Sequence, residues 1–336
     1  MREKKEIYIV SLNGMKNTGG VERVVCYLYD ILKDIYTVHI IEKSSKDFKK
    51  LNNLLQPALI SVKLLFKKNS LIIGNSWQCF LFPVDLSIHH GTSEGVIRYT
   101  GNKKLGLKIT ALMEKISARI AKKVIAVSEN CKNELIKYYK INPKKIIVLN
   151  NCVDEKQFCP NQKKETNTIT VLFSGALSER KGLSQLIIFS DYLEQNDVGI
   201  ELKIASNTDD YNSIFFGRKR TTVYSDVSFD KMCNFYQSGD ILFFPTLYEG
   251  FSMSVLEALS TGIPVIGSRF AVMPELEKYD FCKIIDKNDE IEKIVSEIKY
   301  LYKNYKDKKE YIHKTITEDF GKEQYYKKVL EIIDKI

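Results

Sequence analysis

A chain of 336 residues, 44% hydrophobic and 28% charged, is too long for one ordinary domain and suits two, each with its own apolar core. Its seven cysteines are scattered without a Cys-x-x-Cys pair, which argues against a zinc site or disulfide framework. No run approaches the ~20 apolar residues of a membrane span, and no signal-type apolar stretch opens the chain, so a soluble or peripheral cytoplasmic protein is expected. Basic residues outnumber acidic ones 26 to 14 as far as Glu155, then fall short, 25 to 28; with no helix-turn-helix, zinc-finger or aromatic RNA-binding signature, this points away from nucleic acid and toward an anionic membrane surface or a phosphate-bearing acceptor.

In chain order, residues 7–12 read as a first buried strand and 13–20 as a glycine-rich turn into a helix over 21–35. Gly19 and Gly20 let backbone amides approach an anion at the helix's positive end; a plain turn capped by Thr18 fits the residues alone equally well. Further strands are read at 36–42, 71–75, 85–91, 123–129 and 146–151, with helical patterns between most of them, so the sheet is expected to be mostly parallel. His89-His90-Gly91 closes one of these strands at the edge where such sheets carry ligands. A helix over 103–123 sets Leu105, Ile109, Leu112, Met113, Ile116 and Ile120 at helical spacing among seven lysines and arginines. It reads as a core-packing helix with a solvated face, with a membrane-surface helix as the alternative.

After a polar linker over 161–168, residues 170–175 restart the strand pattern. The turn that follows carries Arg180-Lys181-Gly182 before a helix to about 195; two adjacent cations there form either a diphosphate clamp or a solvated basic turn. Strands at 201–206 and 222–227 and a helix over 230–240 lead to an apolar strand at 240–246. Glu249 then precedes a helix that Ser252 or Ser254 can cap, and Glu257 lies about two turns deeper. A strand over 263–267 follows, and an amphipathic helix is read over 320–336.

Glu249-Gly250-Phe251, Leu256-Glu257-Ala258, Gly262 and Pro264-Val265 together resemble the Glu-x7-Glu signature of the retaining family 4 glycosyltransferases, whose GT-B architecture has two facing Rossmann-like domains. Gly19-Gly20-Val21-Glu22-Arg23, His90-Gly91 and Lys181-Gly182 are similar to further motifs of that family, as is the crossing at 149–160, where Cys152 stands in place of a glycine. The resemblance implies an α/β fold with an acceptor-binding domain over 1–155, a nucleotide-sugar domain over 156–318 and a C-terminal helix over 319–336 packing back on the first. It implies sugar transfer from a nucleoside diphosphate to a glycan or lipid-linked acceptor with retention of configuration, as in bacterial surface polysaccharide synthesis. Glu249 would hold sugar hydroxyls, Glu257 the ribose, Lys181 the diphosphate, and Gly19 and Gly20 the pyrophosphate from below. His90 would line the sugar and acceptor pocket, and Gly250, Phe251, Ser252, Ser225 and Val227 would complete the donor site. No Asp-x-Asp occurs, so neither metal nor cofactor is expected. Three departures stand out: Ala176 occupies a position usually held by arginine, leaving open whether Arg180 substitutes; Ser206-Asn207 replaces a glycine-rich strand end; and Ser225 replaces the glycine of the base-reading turn. A nucleotide-sugar epimerase or a non-catalytic sugar-nucleotide-binding module are the competing readings.

Overall fold

The computed structural model describes residues 5–15, 19–43, 52–67, 70–161, 167–206, 214–225, 227–272 and 274–336, the side chains of 52–55 excepted. Thr18, Asn207 and most of the 161–168 linker lie outside these residues. The chain divides into two compact units, one of residues 1–151 with 326–336 and one of 152–325; the divisions expected from sequence were 155/156 and 318/319.

In unit 1 the order is β1 (Glu6–Val10), α1 (Gly20–Leu32), β2 (Thr37–Ile41), α2 (Asn52–Leu64), β3 (Leu71–Asn75), β4 (Leu86–His89), α3 (Ser93–Thr100), α4 (Leu105–Ile120), β5 (Lys123–Ala126), α5 (Glu129–Tyr139) and β6 (Ile146–Val148). The strands pair in parallel in the order β2-β1-β3-β4-β5-β6. Ile7, Ile9 and Val10 of β1 are wholly buried, the unbroken apolar run of a strand covered on both faces. The crossover from β1 to β2 runs one way across the sheet, and those from β2 to β3 and from β4 to β5 run the other. Right-handed connections therefore place α1 on one face and α2 and α4 on the opposite one.

Unit 2 contains β7 (Ile169–Ser174), α6 (Leu183–Gln195), β8 (Ile200–Ser206), β9 (Thr221–Ser225), α7 (Met232–Gln237), β10 (Ile241–Phe244), α8 (Met253–Ser260), β11 (Val265–Gly267), α9 (Pro274–Glu277), β12 (Cys282–Ile284), α10 (Ile291–Tyr305) and α11 (Lys309–Phe320). Its strands are also parallel, ordered β12-β11-β10-β7-β8-β9. That is the doubly wound order 3-2-1-4-5-6, whose direction reverses between β7 and β10. All four side chains of β10 are fully buried. The last helix, α12 (Lys322–Asp334), begins in unit 2 and ends in unit 1, where Val329, Ile332 and Ile333 are buried and line an apolar space shared with Leu28 of α1.

One expectation changes. In α4 the residues turned inward are Ala111, Met113, Glu114, Ser117 and Ala118, while Leu105, Ile109, Leu112 and Ile120 are exposed. Small and polar side chains let α4 lie against the 3-10 turn Ser76–Cys79 and β4, where Ser117 Oγ meets Ser87 Oγ at 3.2 Å, and Leu105, Ile109, Leu112 and Ile120 point away from the core.

Among the described residues no helix is long and apolar enough to cross a membrane. Ile333 is 3% exposed, so Ile333→Ala should lower unfolding free energy by about 2–5 kcal/mol, the range for truncating a buried aliphatic side chain. A urea titration of parent and variant measures the difference.

Candidate active site

In open parallel sheets, the loops leaving the carboxyl ends of the strands at the reversal point form a natural ligand site. In unit 2 these loops follow β7 and β10. The loop after β7 ends in a 3-10 turn at Glu179–Lys181 and passes through Gly182 into α6. Gly182 has φ +88, and a Cβ there would sit 2.3 Å from the Pro245 carbonyl oxygen; only glycine lets this turn press against the exit of β10. Two hydrogen bonds fasten the pair of loops: the Leu247 N–H donates to the Arg180 carbonyl at 2.8 Å, and the Thr246 hydroxyl donates to the same carbonyl at 3.0 Å.

That register brings both cations to one carboxylate. Lys181 Nζ lies 2.6 Å from Glu249 Oε1 and Arg180 Nη1 lies 2.5 Å from the same atom. Arg180 also donates to the Tyr248 carbonyl at 2.9 Å, and Lys181 Nζ sits 4.9 Å over the Phe244 ring. The Lys181 and Glu249 side chains are 14% and 15% exposed, that of Arg180 40%. Burial alone would raise the Glu249 pKa, but the charges and hydrogen bonds of Lys181 and Arg180 outweigh it and hold the carboxyl below its ordinary value. Two cations thus share one anion, while Glu179 of the same turn is turned to the Ser184 hydroxyl.

Behind Glu249, Gly250 and Phe251 are buried and lead into α8, where the Ser252 hydroxyl caps the helix by accepting from the Val255 N–H. Of the two candidate caps, Ser252 is the one used. Glu257 is 2% exposed, and its Oε2 accepts from the hydroxyl of the fully buried Tyr236 at 3.1 Å. Ser225 ends β9 on the surface, and Val227 just beyond it is half-buried. Tyr236, Thr246 and Phe244 were not singled out from sequence; an aromatic inside a short helix such as α7 and an aromatic or hydroxyl side chain at the end of a strand such as β10 are too common to select.

Unit 1 reverses direction between β1 and β3. The described part of the turn after β1 is held by side chains: Asn13 Nδ2 donates to Glu22 Oε1 at 2.8 Å, and the Leu12 N–H to Gln78 Oε1 at 3.0 Å. Gly19 is the N-cap of α1, with no side-chain cap of its own, and Gly20 begins the helix. Asn75, at the end of β3, gives its Nδ2 to the Val10 carbonyl at 2.9 Å, which leaves Oδ1 facing His90 Nε2 at 3.1 Å. An amide oxygen only accepts, so His90 carries its proton on Nε2 and keeps Nδ1 as an acceptor. Burial lowers the His90 pKa to about 4, and burial together with the neighbouring His90 lowers that of His89 to about 3. His89 is fully buried between the Ser76 and Ser87 hydroxyls, a structural role distinct from that of half-buried His90.

The segment after His90 is pinned from below. Glu114 of α4 accepts from the Ser93 N–H at 2.8 Å and hydroxyl at 2.9 Å, and from the Tyr139 hydroxyl, while Thr92 donates to Glu134 at 2.6 Å. Among the described residues, no group of three or more His, Cys, Asp or Glu side chains could hold a metal ion.

Two parallel sheets of these orders, each with its polar cluster at the reversal point, are the arrangement of GT-B glycosyltransferases. The structure superposes on sucrose-phosphate synthase from Thermosynechococcus elongatus with a TM-score of 0.79, at 16% identity and covering 99% of both chains. It also matches the Anabaena protein HepE in complex with UDP-glucose, with a TM-score of 0.73 at 14% identity and 98% and 100% coverage. Residues 154–318 match the family described as Glycosyl transferases group 1, and residues 82–157 match Glycosyltransferase Family 4. The chain belongs to this glycosyltransferase family. Relatives include the MMP alpha-(1->4)-mannosyltransferase of Mycolicibacterium hassiacum, 27% identical over 49% of this chain and 41% of that protein. The O-antigen chain mannosyltransferase RfbU of Salmonella typhimurium is 26% identical over 48% and 46%, so the chain spans less than half the length of either. The capsular polysaccharide biosynthesis glycosyltransferase CapM of Staphylococcus aureus is 24% identical over 77% and 80%.

The lowered histidine pKa values set a direction for acid sensitivity. With His90 at about 4 in the folded protein and near 6.5 when unfolded, the unfolded chain binds a proton that the native state refuses between those pH values. Native stability should therefore decline as pH falls from about 6.5 toward 4. Urea midpoints at several pH values should show a shallower decline for His90→Asn than for the parent.

Proposed function

We propose that the protein transfers a sugar from a nucleoside-diphosphate-sugar to a glycan or lipid-linked acceptor, with retention of anomeric configuration and without a metal, in the synthesis of a surface polysaccharide. The observation that carries the proposal is the meeting of Lys181, Arg180 and Glu249 where unit 2 reverses strand direction. The UDP-glucose bound by HepE, and the kinship to a mannosyltransferase and to a capsular polysaccharide glycosyltransferase, support the donor class and the product class.

Chemically, the difficulty is charge building on the departing diphosphate, and two preorganised cations in a partly desolvated site stabilise it. The glycosidic carbon–oxygen bond to phosphate breaks, the acceptor oxygen bonds to the same carbon on the same face, and the acceptor's proton passes to the leaving phosphate oxygen. Glu249 suits this scheme as a fixed anion holding sugar hydroxyls. Its depressed pKa disfavours a general acid, and the oxygen gripped by both cations is a weak nucleophile. Glu257, with Tyr236 fixing one oxygen, is assigned to the ribose, and Gly250, Phe251, Ser252, Ser225 and Val227 to the rest of the nucleotide. In unit 1, Gly19 and Gly20 are assigned to the pyrophosphate and His90 Nδ1 to a hydroxyl of the sugar or acceptor. Arg180, which shares a carboxylate oxygen with Lys181, is assigned the part of the arginine that Ala176 replaces. The acceptor is taken to be presented at an anionic membrane, on the cytoplasmic side, by the charge of the first 155 residues.

Incubation with UDP-, GDP- and ADP-sugars, scoring nucleoside diphosphate release with and without a phosphate-bearing glycan acceptor, tests the assignment. Conversion of the donor sugar without any acceptor would mark an epimerase instead. Lys181→Ala should cost about 2–4 kcal/mol of transition-state stabilisation, roughly 100- to 1,000-fold in kcat; Arg180→Ala should lower kcat in the same direction, and unchanged turnover would return Arg180 to the solvent. Chelator should leave turnover unaltered.

Glu257→Ala should weaken nucleotide binding in calorimetry, whereas Glu249→Ala should spare nucleotide affinity and depress turnover. The opposite pattern would reverse the two assignments.

A further inference from the structure

We infer that α2 and α4 together form a face of unit 1 that inserts into an anionic lipid bilayer by apolar contact as well as by charge. The two helices share one side of the sheet, as the right-handed crossovers require, and both pack on the 3-10 turn Ser76–Cys79 between β3 and β4. On α2 and the turn closing it, Leu59, Val62, Leu65 and Phe66 are all more than half exposed, Phe66 to 82%; on α4, Leu105 is 72% exposed and Leu112 58%. Spacings of three, four and seven residues make each set a stripe along its helix. These are not side chains left over from a core, since both helices bury other residues, Ile60 and Leu64 on α2 and Ala111, Met113 and Ala118 on α4.

The charges around the stripes decide what covers them. Lys63, Lys103, Lys104 and Lys108 are exposed beside the apolar residues. Residues 52–67 contain no Asp or Glu, and the one acid in 101–116, Glu114, is buried and occupied by Ser93 and Tyr139. Protein interfaces favour Tyr, Trp and Arg and are poor in Lys at their centres. Aliphatic and Phe side chains bordered by lysines, with no exposed carboxylate among the described residues of the two helices, match the boundary between acyl chains and anionic headgroups.

The buried side of α4 connects this face to the candidate site. Ser117 donates to the Ser76 carbonyl at 2.6 Å, and Glu114 holds Ser93; Ser76 follows the Asn75 that orients His90, and Ser93 lies three residues beyond His90. A lipid-linked acceptor would thus be held by the same helix that fixes the His90 loop. The inference rests on the proposal that the acceptor is presented at a membrane.

Vesicle flotation without donor or acceptor tests it independently of turnover. The full-length protein should float with phosphatidylcholine vesicles containing phosphatidylglycerol, and weakly with phosphatidylcholine alone. Leu105→Ser combined with Leu112→Ser should reduce partitioning at least about tenfold per leucine, given the transfer free energy of a leucine side chain. Replacing Lys63, Lys103, Lys104 and Lys108 by Gln should remove most of the dependence on phosphatidylglycerol and on salt. Thermal unfolding and donor binding should be unchanged in both variants, showing that the fold is intact. The inference is overturned if the parent floats with neither vesicle, if the leucine variant floats like the parent, or if sedimentation shows a lipid-free dimer that the leucine changes dissociate. Loss of sugar transfer with vesicle binding intact would count against the transferase reading alone.

Discussion

Glu249 holds the functional end of unit 2 together. Its one oxygen receives Lys181 and Arg180, and those residues come from the loop after β7 while Glu249 comes from the loop after β10. A parallel sheet has no direct turn between such strands, so their carboxyl ends are joined only by what the loops themselves provide. Here that is a close backbone approach, possible because Gly182 has no side chain, and an ion cluster screened from water on most of its surface. Partly buried pairs of this kind contribute less to stability than their geometry suggests, because desolvation offsets attraction. Their retention at the reversal point is better explained by the charge arrangement they maintain than by the strength of the fold.

A different constraint governs unit 1. Its polar groups are mostly neutral and orient one another: Asn75 reads the Val10 carbonyl on one side and fixes the His90 tautomer on the other. Beneath them, Glu114 and Glu134 are buried carboxylates satisfied by Ser93, Tyr139 and Thr92. Burial is the largest influence on Glu114 and raises its pKa despite these hydrogen bonds. A network this dehydrated tolerates few alternative geometries, so the two units position side chains by different means: charge balance in one and hydrogen-bond direction in the other.

Much of this was legible in the amino-acid sequence, for local reasons. The runs at β3, β10 and β11 are apolar, short and bounded by Gly, Pro or Asn, and their strands fall where the pattern puts them. Glu249, Lys181 and Gly182 stand at strand-to-helix turns, so their placement at a sheet edge followed from order alone. Three features were not read. β12 is an edge strand of three residues, too short to carry a pattern, while α10, which sets Ile294, Val295, Ile298 and Leu301 at helical spacing, and α11 follow a strand that was itself missed. The inward face of α4 is built of Ala, Ser, Glu and one Met where it meets the Ser76–Cys79 turn, while Leu105, Ile109, Leu112 and Ile120 of the stripe that looks like a core point away from it. The convergence of Arg180 on Glu249 joins positions 69 residues apart, and no periodicity carries that information.

The path of α12 has a consequence for how the protein is made. Val329, Ile332 and Ile333 line the same apolar space as Leu28, Ile73 and Ile88, so unit 1 lacks part of its interior until residues 326–336, which lie beyond the whole of unit 2 in the chain, have been synthesised. Unit 2, whose strands and covering helices all precede residue 326, can finish its own core earlier. Domains usually mature from the amino end during synthesis; here the later-made unit is the one equipped to fold first. Meanwhile the unfinished sheet of unit 1 exposes apolar surface for the time needed to translate unit 2, an interval in which chaperone binding would matter most.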